Sequence, residues 1–103
     1  MNRNKNLPLT ETVFYILLAL AEPRHGYMIM QKVEELSEGQ VKLAAGTLYG
    51  AIENLLKLDY IEPVQSDDVR RKVYIITDMG KQILRLEIDR MQHLLNISES
   101  CLL

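Results

Sequence analysis

The sequence predicts a mainly α fold with a small β-hairpin, and three observations predict it. Apolar residues in the first half fall into three segments at helical spacing. Two short stretches rich in Val, Ile and Tyr follow, parted by a charged turn. A last, longer segment then returns to helical pitch, with more apolar residues than one small domain needs.

The first segment runs from Thr10 to Glu22, with Thr10 as the cap and Glu11 favourable to the dipole. Its run Val13 to Ala21 is apolar on every side, so this helix must be covered on more than one face. Pro23 stops it. Ala19-Leu20-Ala21 resembles a signal-peptidase site behind Arg3 and Lys5, but cleavage there would discard the most hydrophobic element of a small chain. The run is therefore read as core. The second segment starts near His25-Gly26 and ends at Leu36, with Ile29, Val33 and Leu36 on one face. Ser37-Glu38-Gly39-Gln40 reads as a turn. The third runs from about Ala45 to Leu58 and divides cleanly. Leu48, Ala51, Ile52, Leu55, Leu56 and Leu58 gather on one side, while Tyr49, Gly50, Glu53, Asn54 and Lys57 take the other.

Tyr60 to Gln65 and Lys72 to Ile76 read as strands around the turn Ser66 to Arg71. Pro63 restricts its strand to an edge. A lone two-stranded hairpin is marginal in water, so this one must lean on the helices. The last segment, capped by Thr77, reaches about Ser100 and carries two stripes: Met79, Ile83, Leu86, Leu94 and Ile97, and Leu84, Ile88, Met91, Leu95 and Leu102. Together they cover an arc of about 200°, roughly twice what packing on one small domain requires. A second copy of the chain explains the surplus, with Leu84, Ile88, Met91 and Leu95 as the dimer contacts. Helix, helix, helix and a two-stranded ribbon is the order of a winged helix-turn-helix. Residues 1–76 would form that unit, and residues 77–103 a dimerisation helix within the same compact domain.

Composition bounds the function. The 103 residues are 48% apolar and 25% charged, as in a soluble globular domain. The net charge of -2 argues against a generic nucleic-acid coat or a polybasic membrane binder, though not against positive charge concentrated in one place. The single cysteine, Cys101, has no internal partner, and with only His25 and His93 beside it no zinc site of known spacing assembles. A reducing, cytoplasmic setting without membrane, metal or cofactor fits best. No nucleophile–base pair, Gly-rich phosphate loop or HExxH motif suggests catalysis. Glu34 and Glu35 point to different sides of a helix and cannot cooperate as acid and base.

Two groups of residues carry chemistry. On the outward face of the third segment, Thr47, Tyr49, Gly50 and Asn54 stand where a helix in the major groove meets base edges. Gly50 admits close backbone approach, and Asn54 can pair bidentately with adenine. Glu53 can accept from cytosine or pair with Lys57, four residues on, as on a plain solvated face. Arg70-Arg71-Lys72 is the only run of three basic residues. At a ribbon tip it would contact phosphates, with Arg3 and Lys5 adding to it and Asp67 and Asp68 offsetting it; the alternative is a solvated turn kept polar for solubility.

Gly46-Thr47-Leu48-Tyr49-Gly50-Ala51-Ile52, followed by Leu55, resembles the GTLY recognition-helix signature of PadR-type transcriptional regulators. His25-Gly26-Tyr27 resembles the family's HGY opening of the second helix, and Val73 to Gly80 its YxLTxxG exit from the wing. The three occur in family order and span about Val13 to Leu84. The resemblance implies a dimeric winged-helix repressor of the compact subgroup without a large C-terminal domain. It also implies that Thr47 and Tyr49 face DNA while Arg70, Arg71 and Lys72 serve the wing. Three departures stand out. Ala44 and Ala45 replace a common Ser-Pro start, which weakens the helix cap. Asp59-Tyr60 replaces a Gly-led step and asks for a different turn. The chain has no Trp, so ligand stacking between tryptophans at a dimer centre is not carried over.

The expected partners are double-stranded DNA and a second copy, on a near-palindromic operator. A small-molecule effector could shift the angle between the halves, though no residue identifies one; Met91, His93 and Leu94 lie where a dimer-centre pocket would form, with plain interface packing the more ordinary reading of them. The alternatives are a winged-helix protein-interaction module that never binds DNA, and a sequestering small-molecule sensor.

Overall fold

A computed structural model describes residues 4–65 and 70–102. Arg3, Asp67 and Asp68, expected to tune the basic surface, lie outside the described residues. Among the described residues four helices and three short strands follow one another: α1 (Glu11–Ala19), β1 (Arg24–His25), α2 (Gly26–Leu36), α3 (Ala45–Lys57), β2 (Ile61–Val64), β3 (Val73–Ile76) and α4 (Asp78–Leu102).

Thr10 caps α1, its hydroxyl accepting from the Val13 N–H at 3.1 Å. The helix stops at Ala19, three residues before the expected end. Its terminal carbonyls find partners outside the helix. Arg24 Nε donates to the Ala19 oxygen at 2.8 Å, and the Ile76 N–H donates to the Leu20 oxygen at 2.8 Å. The chain therefore leaves α1 early and lays Arg24–His25 against the sheet. This third strand is absent from the sequence reading. It pairs antiparallel with β3, Arg24 opposite Tyr74 and His25 opposite Val73, giving the order β1-β3-β2. The ribbon is thus a three-stranded sheet rather than a lone hairpin. Pro63 sits on the edge strand β2, as a residue without an N–H must.

The core is aliphatic, built from Ile16, Leu17, Leu20, Ile29, Val33, Leu48, Ile52, Leu55, Ile61, Ile76 and Ile83 with Tyr60 and Tyr74. Leu36 shares the spacing of Ile29 and Val33 yet is exposed; Ser37 is the buried residue there, its hydroxyl accepting from the Val41 N–H at 2.9 Å.

Helix α3 ends in a Schellman turn. The Tyr60 N–H reaches the Leu55 oxygen at 3.0 Å, and the Asp59 N–H reaches the Leu56 oxygen at 3.1 Å. Asp59 takes the left-handed φ of 61° that glycine favours. Asp at this position therefore carries backbone strain that a glycine would not. Thr77 ties this turn to α4, donating to the Asp59 oxygen at 2.6 Å and accepting from the Gly80 N–H at 3.0 Å.

Helix α4 packs on α1 and β3 only through its first turns, burying Gly80, Ile83, Leu84 and Glu87. Leu84, expected on the surplus apolar stripe, is 8% exposed and belongs to the chain's own core. It is not a surface contact, because the face that starts α4 is the one that docks it. Beyond it, Ile88, Met91, Leu94, Leu95 and Ile97 are exposed in the single chain.

Candidate nucleic-acid interface

Helix α3 is held by Leu48, Ile52 and Leu55, all buried, so its opposite face is turned outward by the same periodicity. Thr47, Tyr49, Gly50, Glu53, Asn54 and Lys57 are exposed on it. A side chain added at Gly50 would meet nothing within 4 Å, which leaves that stretch of backbone open to close approach. The helix begins at Ala44 with no side-chain cap, as the missing Ser-Pro pattern predicts. Lys57 Nζ lies 3.6 Å from Glu53 Oε1. Both are exposed, so the pair adds roughly 0.3–0.5 kcal/mol to the helix and leaves either group free to exchange partners.

Beside this face, the residues that enter β3 are basic. Arg70, Arg71 and Lys72 are exposed, and the Arg71 guanidinium donates to Nε2 of His25 at 3.4 Å. Between the wing and α3 lies a cleft of about 740 Å³ lined by His25, Gly26, Tyr27, Met28, Tyr49, Arg70, Arg71, Lys72 and Tyr74. The fold thus joins Tyr49 to the basic run across one concave surface. Thr47, Gly50 and Asn54 share the exposed face of α3 but do not line the cleft. His25, Gly26, Tyr27, Met28 and Tyr74 were not foreseen in it. They arrive there because β1 brings the start of α2 against the wing strand. The sequence signal was the His25-Gly26-Tyr27 motif, visible as a helix opening but silent about what it would touch.

A second hollow, of about 340 Å³, opens between α1 and α4 beside Leu9, Phe14, Tyr15, Glu87, Arg90 and Met91. Glu87, a charged residue on the apolar arc of α4, is 2% exposed. Its carboxylate accepts from the Leu9 N–H at 2.6 Å and from Arg90 Nε. The hydrogen bond and then the charge of Glu87 raise the Arg90 pKa above its ordinary value, against the opposing effect of desolvation. Met91 lines this hollow; His93 and Leu94 do not, and both are exposed.

Among the described residues no cluster of His, Cys, Asp and Glu could hold a metal ion, and no helix is long and apolar enough to cross a membrane.

Residues 15–86 match the family model described as Transcriptional regulator PadR-like family. The structure is similar to a PadR family transcription regulator from hypervirulent Clostridium difficile R20291, with a TM-score of 0.75 at 22% identity, covering 90% of this chain and 99% of that one. It is also similar to a PadR family transcriptional regulator from Eggerthella lenta, with a TM-score of 0.67 at 27% identity, covering 87% of this chain and 79% of that one. In sequence, 80 residues are 32% identical to an uncharacterized 37.1 kDa protein in transposon TN4556 of Streptomyces fradiae; the match takes in 77% of this chain and spans 22% of that relative's length.

Proposed function

From the premise that this chain belongs to the PadR-like family of transcriptional regulators, we propose that it is a homodimeric repressor that reads a near-palindromic operator in double-stranded DNA. The observation that carries this reading is the exposed polar face of α3 set beside the basic run Arg70-Arg71-Lys72 across one cleft. In the proposed complex α3 lies in the major groove. Asn54 pairs with an adenine edge, Thr47 and Tyr49 contact bases, and Gly50 lets the backbone approach. Arg70, Arg71 and Lys72 grip flanking phosphates, which supplies affinity without sequence information. The exposed apolar residues Ile88, Met91 and Leu95 join two copies, so that two α3 helices address grooves about 34 Å apart. A net charge of -2 keeps non-specific attraction low and leaves discrimination to α3. The proposed setting is the cytoplasm. An effector would act by changing the angle between the two copies.

A titration of the protein against its own upstream DNA at several salt concentrations tests the reading. Affinity should fall steeply with salt, and replacing Arg71 and Lys72 by Ala should lower the log–log slope by about 0.9 per lost phosphate contact. Binding that ignores both salt and the double substitution would sink the DNA mechanism and favour a protein-interaction module.

A further inference from the structure

Two of the motif segments that mark this chain meet at one point in space. His25-Gly26 opens α2, and Tyr49 belongs to α3, yet a Cβ built on Gly26 would stand 2.7 Å from Tyr49 Oη and 3.2 Å from its Cζ. The phenol of Tyr49 therefore lies over the start of α2, and any side chain larger than glycine's there would force it to shift. Tyr49 is 55% exposed, so the ring is seated on one side and open to the outside on the other. The neighbouring residue, His25, contacts the wing. His25 is the N-cap of α2 but makes no side-chain capping bond. Its backbone instead pairs with Val73 of the wing strand, and its ring meets Arg71. Because a guanidinium only donates, Nε2 of His25 must be the acceptor in that contact.

We propose that His25 and Gly26 form a positioning pair for DNA binding: Gly26 sets where Tyr49 of the reading helix sits, and His25 holds Arg71 of the wing over the cleft. The proposal rests on the DNA-binding reading above and adds to it the residues that align its two contact elements. Neither residue need touch DNA. A side chain at Gly26 would push the phenol of Tyr49, the far end of a flexible group, so the fold tolerates the change while the hydroxyl moves. Loss of the His25 ring leaves Arg71 in place in the sequence but without this anchor.

The two effects have different signatures. Gly26→Ala should lower the preference for operator over unrelated DNA by about tenfold, in the range of one lost base contact, with the salt slope unchanged. His25→Ala should weaken binding to both DNAs about equally and lower the salt slope by up to about 0.9. His25→Gln offers an amide oxygen as acceptor in place of the ring nitrogen and should recover most of that loss. Each change is then repeated in a background lacking its proposed partner, with folding followed by thermal denaturation. Gly26→Ala should have no further effect beside Tyr49→Ala, nor His25→Ala beside Arg71→Ala. Fully additive losses would overturn the pair. If Gly26→Ala does not fold but folds in the Tyr49→Ala background, the contact with Tyr49 is supported. Failure to fold in both overturns that half. Wild-type protein that shows no operator preference overturns the DNA reading itself, a result distinct from additivity.

Discussion

At Gly80 the backbone of α4 comes so close to the turn after α3 that an added Cβ would stand 2.2 Å from the Tyr60 carbonyl oxygen. Backbone cannot yield as a flexible side chain can. Gly80→Ala should therefore cost about 3 kcal/mol, lowering the unfolding midpoint by on the order of 12–20 °C. An unchanged midpoint would mean that α4 is free to shift. Glu87 poses the opposite problem, a charge buried among apolar residues. Replacing it by Leu leaves the Leu9 N–H without its acceptor, so stability in urea unfolding should drop by about 1–3 kcal/mol despite the gain in apolar volume. A neutral result would show that the carboxylate is dispensable to the chain's entry into α1. Gly80 was visible in sequence as part of a motif, whereas Glu87 was not visible as a buried group. Helical spacing tells which side a residue faces, but a lone acid on that side reads as a gap until its partners, here seventy-eight positions away and three, are brought alongside.

Among the elements, α3 was read closely from its periodicity, and its weak start from Ala44. Ala44→Ser should supply the absent cap and stabilise the protein by about 1 kcal/mol, measured by thermal or urea unfolding. No gain would indicate that the orphan N–H groups are already satisfied. Its other end is a left-handed Asp59, where Asp59→Gly should add roughly 0.5–1 kcal/mol, since the Schellman bonds and the Thr77 contact use only backbone atoms of that residue. The early end of α1 and the strand β1 were not legible. Two residues carry no period, and Arg24-His25 pairs with Tyr74-Val73 only because the wing strand lies there.

The whole molecule has a long helix that docks by its first turns and then runs on with apolar residues exposed, Ile88 at 42% and Leu95 at 52%. A free chain would keep such a stripe in water at a cost of roughly 25 cal/mol for each Å². Sedimentation of the wild-type protein should accordingly give twice the 11.9 kDa chain mass, and Ile88→Glu with Leu95→Glu should give a monomer with weakened operator binding. A wild-type monomer would remove the dimer from the proposal.

By itself the sequence determined the helices, the two wing strands, the apolar–polar division of α3 and the basic run, because each depends on residues near one another in the chain or on a simple period. The tertiary structure alone decided that Leu84 belongs to the core, that Glu87 is a buried acceptor, and that His25 and Gly26 meet Arg71 and Tyr49. Those outcomes depend on which distant surfaces cover a side chain, and burial of that kind is a property of the assembled elements rather than of any one of them.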